Sequence, residues 1–218
     1  MDRVEKAKKV LDILEKEFPD AKTALEFSNP LELLIATILS AQTTDKLVNK
    51  VTKELFKKYR TAGDYASADL KEFEPDISPV NFYRNKAKSL KGCCKKIVEE
   101  FGGKVPETIG ELTELPGVGR KTANIVLGNA FGKDALAVDT HVKRVAQRLG
   151  LTGSEDPDEI EKDLCKIIPK NRWTKTTHLF ISHGRKTCKA PNPLCDACPI
   201  QDYSVYYKTV YRKKKLKA

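Results

Sequence analysis

The chain has 218 residues, and its 40 Lys plus Arg outnumber its 30 Asp plus Glu for a formal net charge of +10, so a polyanion or an acidic substrate is the first partner class to consider. Hydrophobic residues at 40% support a packed core and exclude disordered and low-complexity classes, and no apolar run approaches the roughly 18 residues that a membrane span requires. The length allows one large domain or two small ones.

From the N-terminus, Val4, Ala7, Val10, Leu11 and Leu14 recur at the spacing of an amphipathic helix. Ser28-Asn29-Pro30 then supplies a cap and a first-turn proline for a helix over 31–40, whose Leu33, Leu34, Ile35, Ile38 and Leu39 make it apolar nearly all round and place it at the centre of the core. Amphipathic helices follow over 45–59 and 85–101, the second stopped by Gly102-Gly103 in the manner of a left-handed cap. A short helix over 106–114 and a longer one over 119–128 flank a tight Pro-Gly turn. Next come 140–149, closed by Gly150, then 157–168 and 172–184, with Asp156 and Asn171 placed as caps. The one hint of strand is Ala135-Leu136-Ala137-Val138, so the fold class read from the sequence is all-α. Residues 188–203 are rich in Pro and Cys, and the tail Arg212-Lys213-Lys214-Lys215 reads as a solvated charge run.

Leu115-Pro116-Gly117-Val118-Gly119-Arg120-Lys121-Thr122-Ala123-Asn124 joins two helical patterns through a turn with alternate glycines. Such a turn presents N–H groups and the positive end of a helix, which suits a phosphate oxygen at Gly117 and Gly119. By itself the same glycine pattern also fits an ordinary helix-helix corner.

The full string resembles the helix-hairpin-helix of the endonuclease III family of DNA glycosylases. Ser40-Ala41-Gln42-Thr43-Thr44-Asp45, Ala137-Val138-Asp139-Thr140-His141, His183-Gly184-Arg185 and the spacing Cys188-x6-Cys195-x2-Cys198 agree with it, in order, over nearly the whole chain. The resemblance implies a bifunctional glycosylase and abasic-site lyase of base excision repair that removes damaged pyrimidines from double-stranded DNA. It also implies two helical lobes with DNA in the cleft between them, one of residues 22–133 with the hairpin, the other of 1–21 plus 134–218. Lys121 falls at the family's catalytic lysine and Asp139 at its catalytic aspartate. The chemistry suits both: an unprotonated amine can attack the sugar C1′, and in a first helical turn the dipole and partial desolvation both disfavour the ammonium form. A carboxylate can accept the proton and stabilise positive charge developing on the sugar. Taken singly, Lys121 also reads as a phosphate contact and Asp139 as the N-cap of the helix opening at Thr140. His141 reads as a hydrogen-bonding neighbour of the site, since no second ligand sits at metal spacing.

Extruding a base requires a wedge. The family's two wedge loops map onto Gln42 and onto Val80-Asn81-Phe82-Tyr83, where Phe82 replaces the usual leucine and reads equally as a wedge or as a core aromatic. Two other readings are a monofunctional, adenine-mismatch type of glycosylase, against which Lys121 argues, and a non-catalytic DNA-binding protein, against which Asp139 argues.

The charged start Met1-Asp2-Arg3-Val4-Glu5-Lys6 lacks a secretory h-region, so a reducing compartment, cytoplasmic in a prokaryote, is expected, and six Cys point to metal or cluster ligation rather than disulfides. The family pattern binds a 4Fe-4S cluster through Cys-x6-Cys-x2-Cys-x5-Cys. Cys188, Cys195 and Cys198 fit it, while the fourth position is Ser204. Three outcomes stay open: a 4Fe-4S cluster with an oxygen ligand at one iron, a 3Fe-4S cluster, or none. Cys93, Cys94 and Cys165 read as small core residues. The expected partner is DNA carrying damaged bases or abasic sites, bound by a monomer, with no membrane association.

Overall fold

The apolar stripes become helices along nearly the whole chain. The protein is represented by a computed structural model that describes residues 1–216, so residues 217 and 218 lie outside the described residues. The helices are α1 (Arg3–Glu17), α2 (Pro30–Leu39), α3 (Asp45–Lys58), α4 (Ala62–Ser67), α5 (Leu70–Asp76), α6 (Tyr83–Phe101), α7 (Ile109–Thr113), α8 (Arg120–Ala130), α9 (Thr140–Leu149), α10 (Pro157–Ile167), α11 (Trp173–Lys186) and α12 (Arg212–Lys215). The all-α class holds, and no strand occurs among the described residues. The strand hinted at by Ala135 to Val138 is corrected to a buried extended connection. The Thr177 hydroxyl accepts the Ala137 N–H at 3.0 Å and lies 3.2 Å from its carbonyl, standing in for a paired strand.

Two compact units divide the chain: Thr23–Lys133, and Met1–Lys22 together with the segment from Asp134 onward. In the first, α2 packs against α3, α6 and α8, and Leu33 through Leu39 are all buried. Its start is fixed by Asn29, whose side chain accepts the Glu32 N–H at 3.0 Å, with Pro30 at the first helical position. Truncating a fully buried leucine here, such as Leu34→Ala, would cost about 2–5 kcal/mol. Sequence periodicity missed α4 and α5. They are short, α5 contains Pro75, and both pack on α6. Tyr65 and Phe73, one from each, cluster with Tyr59 at ring-centroid separations of 5.1 to 5.9 Å.

In the second unit, Leu11, Leu14, Val145, Leu149, Leu164 and Phe180 from α1, α9, α10 and α11 share one core. Gly150, at φ +69°, closes α9, and Asp156 caps α10 by accepting from Asp158 and Glu159 N–H. The cap assigned to Asn171 is corrected. Residues Lys170–Arg172 form a 3₁₀ turn closed by Arg172 N–H to Pro169 O at 2.9 Å, so Asn171 sits inside that turn and α11 starts two residues later without a side-chain cap. Cys93 and Cys94 are buried, and Cys165 is half-buried against its unit's core.

Candidate active site and nucleic-acid interface

The hairpin is built by α7, a turn plugged by buried Leu115 and Val118, and α8. Gly117 has φ +79°, and a Cβ there would lie 2.9 Å from Ser89 Cβ on α6, so only glycine lets the turn pack so closely. Gly119 plays a different part. Its φ of −90° suits any residue, but nothing lies within 4 Å of where a Cβ would be, and it caps α8 with no side-chain hydrogen bond. The start of α8 is thus exposed from Gly119 through Lys121 and presents a helix N-terminus free of any side-chain cap. Lys121 occupies its first turn.

Asp139 caps α9. Its Oδ1 accepts the N–H groups of both His141 and Val142 at 2.8 Å, while Oδ2 has no hydrogen bond among the described residues. The capping and chemical readings of Asp139 therefore use different oxygens of one half-buried carboxylate. His141 Nδ1 lies 3.0 Å from Arg144 Nη2, and Arg144 also donates to Gly184 O at 3.0 Å. Burial above all holds the His141 imidazole below its ordinary value; the Asp139 carboxylate opposes this, and the Arg144 and Arg185 guanidiniums reinforce it. A Cβ on Gly184 would lie 3.0 Å from His141 Cβ, which explains the glycine between His183 and Arg185.

Gln42 and Phe82 are the two non-glycine residues with positive φ among the described residues, at +54° and +58°. Each such backbone costs on the order of 1–3 kcal/mol and persists only where its surroundings over-determine it. Phe82 is 62% exposed, which removes the core-aromatic reading. The Asn81 amide donates to Gln42 O, and the Asn81 N–H donates to Thr43 Oγ1 at 3.3 Å. Lys86, missed by the sequence reading, is 7% exposed and donates to Leu39 O and Ala41 O at 2.7 Å and to Thr43 Oγ1 at 3.1 Å. Desolvation lowers its ammonium from the usual lysine range. A signal was present in the sequence: Lys86 falls on the same stripe of α6 as Leu90, Cys93 and Ile97, where lysine is out of place.

Cys188, Cys195, Cys198 and Ser204 line one cavity. Burial pushes the Cys195 and Cys198 thiols up, the latter to about 11. Arg144 Nε donates to Cys188 O at 2.9 Å, and Arg148, one turn along α9, donates to Lys189 O at 2.8 Å and Ala190 O at 3.1 Å. Ser204 Oγ donates to Arg148 O at 3.1 Å and accepts the Tyr207 N–H at 3.1 Å, so it caps the helical segment that follows. Among the described residues no three His, Cys, Asp or Glu side chains converge as a site for a single metal ion. A cubane makes a different demand, because each of its irons takes its own thiolate and the ligands surround a volume. The donor set fits such a cluster at three corners.

Residues 35–170 match the family described as HhH-GPD superfamily base excision DNA repair protein. The chain is 51% identical over 197 residues to endonuclease III of Synechocystis sp., covering 90% of each chain, and 50% identical over 191 residues to endonuclease III of Bacillus subtilis, covering 87% of each. Among solved structures, a trapped covalent intermediate of an endonuclease III with DNA superposes with a TM-score of 0.91 at 49% identity, covering 97% of this chain and all of that one.

Proposed function

From the premise that this chain belongs to the HhH-GPD superfamily of base excision DNA repair proteins, and within it to the endonuclease III family, we propose that Lys121 is its nucleophile and Asp139 its proton acceptor. The chain is a DNA glycosylase with abasic-site lyase activity. Its substrate is double-stranded DNA, and a damaged pyrimidine is the base it releases. The observation that carries this reading is the exposed Lys121 in the first turn of α8, beside a glycine cap open to solvent.

The chemistry follows from the groups. A phosphate oxygen takes the bare N-terminus of α8 and sets the strand's register. The Lys121 amine attacks C1′ of the extruded nucleotide, forming a C–N bond as the N-glycosidic bond breaks, and the base departs with the electron pair as an anion that takes a proton from solvent. Asp139 Oδ2 takes the proton shed by the attacking nitrogen, and its charge stabilises the positive sugar. The proton held on Asp139 passes to O4′ as the C1′–O4′ bond breaks and the sugar ring opens to a Schiff base. Loss of a C2′ proton then expels the 3′ phosphate by β-elimination. Gln42 and Phe82 fill the gap left by the extruded nucleotide, and His141, half-buried beside Asp139, fixes the start of α9.

Cys188, Cys195 and Cys198 would hold an iron-sulfur cluster at three corners, where it would supply structure, since hydrolysis and β-elimination involve no net redox change. Ser204 is engaged as a cap, so a cluster bound here would have three thiolates, with an oxygen ligand at its fourth iron or with that iron lost. Iron and sulfide analysis of anaerobically purified protein, with Ser204→Cys raising iron content, tests this part.

Borohydride trapping tests the whole. Wild-type protein should become covalently attached to an abasic sugar, and Lys121→Gln should lose both trapping and base release while keeping its affinity for DNA. Normal trapping by that variant overturns the assignment, and base release without trapping by the wild type would mark a monofunctional glycosylase.

A further inference from the structure

Resting on the reading of Gln42 and Phe82 as the wedge, we propose that Lys86 is a positioning residue for base extrusion: with Asn81 it locks the two wedge loops into one unit. The loops lie 40 residues apart in sequence, and both carry a left-handed backbone that neither would keep alone. Their connections pass through few atoms. The Lys86 N–H bonds to Phe82 O at 3.1 Å, so the helical turn that begins at Phe82 ends at Lys86. The ammonium of the same residue donates to Ala41 O and Thr43 Oγ1, on either side of Gln42. Asn81, next to Phe82, donates to Gln42 O and, through its N–H, to the same Thr43 hydroxyl. The Thr43 hydroxyl closes the figure by donating to Ala41 O at 3.4 Å.

A buried ammonium with two carbonyl partners and one hydroxyl partner is a strong constraint, because a buried charge left without its hydrogen-bond partners is costly. The consequence concerns catalysis rather than folding alone. A wedge that enters a base stack must resist being pushed back, and two loops tied together resist as one body. Lys86 reaches no reacting atom in this scheme; it acts through Gln42 and Phe82.

The test compares single-turnover base release from an oxidised thymine paired with adenine against release of the same lesion from a mismatched bubble, where the cost of unpairing is already met. Lys86→Met should slow release from the paired duplex about tenfold or more and leave the bubble within about threefold. The emission of 2-aminopurine placed opposite the lesion, which reports unstacking, should rise less than with wild type. Asn81→Ala, at an exposed position, should show the same selectivity more weakly, and it decides the matter if Lys86→Met fails to fold. Lys86→Arg, which keeps the charge and donors, should restore part of the paired-duplex rate. Equal slowing on both substrates, or no slowing with either variant, overturns the proposal. Phe82→Ala separates the two readings. If it shifts the paired-to-bubble ratio and the Lys86 and Asn81 variants do not, the coupling is wrong and the wedge stands; if Phe82→Ala leaves the ratio unchanged, the wedge falls and the coupling with it.

Discussion

Asp139→Asn and Asp139→Ala together separate a cap from a chemical group. Oδ1 satisfies two helix N–H groups at 2.8 Å, and an asparagine keeps an oxygen in that place whereas alanine removes it. Loss of such a cap costs about 1 kcal/mol, while Asn and Asp caps are nearly equivalent. For a chain of this size, 1 kcal/mol is about 2–4 °C in melting temperature. Asp139→Ala should therefore melt a few degrees lower and Asp139→Asn within about 1–2 °C of wild type. Against a total stability of about 5–15 kcal/mol, neither change would unfold a measurable fraction at 25 °C, so a purely structural Asp139 predicts full turnover in both variants. The chemical assignment predicts that both lose about 10²–10⁴-fold in single-turnover base release, because both lack the proton-accepting Oδ2 carboxylate. Calorimetry and a gel assay of strand scission read the two effects separately. Asparagine working at near wild-type rate would refute the assignment of the proton acceptor.

DNA binding should weaken steeply with salt: about five phosphate contacts would give a log-log slope near −4 to −5, and removing residues 212–218 should make it only slightly shallower without slowing catalysis. A slope near zero would contradict the polyanion reading. Gly184→Ala should lower stability by about 1–3 kcal/mol in chemical denaturation, because a Cβ there meets His141 Cβ at 3.0 Å, and an unchanged midpoint would mean that the two helices separate freely. Burial lowers the His178 imidazole to about 4 from its ordinary 6.5, with Lys175 adding to the effect. Between these values the unfolded chain binds a proton that the folded chain refuses, so stability falls as pH drops from 6.5 to 4, by up to roughly 3 kcal/mol from this residue. Denaturation midpoints of His178→Gln should show a shallower loss over that window, and an identical pH profile would contradict it.

Much of this was legible in the sequence because certain positions accept few residue types. Gly117 is dictated by the approach of Ser89, Gly150 by a left-handed helix end, and Asp139 by the N–H groups of α9, and each of these leaves a recognisable letter in a recognisable place. Lys86 left only a weak mark, a lysine on the apolar stripe of α6, and what holds its ammonium, the carbonyls of Leu39 and Ala41, lies 47 and 45 residues away. Ser204 was read against a cysteine template, which directs attention to what a serine fails to ligate and away from the Tyr207 N–H that it caps. For Asn171 the local propensity was sound, but the 3₁₀ turn after Pro169 had already used the position.

The ends of α2 and α8 show how one unit presents itself to a polyanion. A helix offers repulsion at its carbonyl end and attraction at its amide end, each close to half an elementary charge. At the C-terminal end of α2, Leu39 O and Ala41 O are covered by the Lys86 ammonium, so the repulsive pole is hidden behind a full positive charge. At the N-terminal end of α8 no side chain covers the amides, and the one residue that could have shielded them is a glycine with open space around it. The two backbone poles therefore differ in their cover: a lysine sits over the carbonyl end of α2, and no side chain caps the amide end of α8.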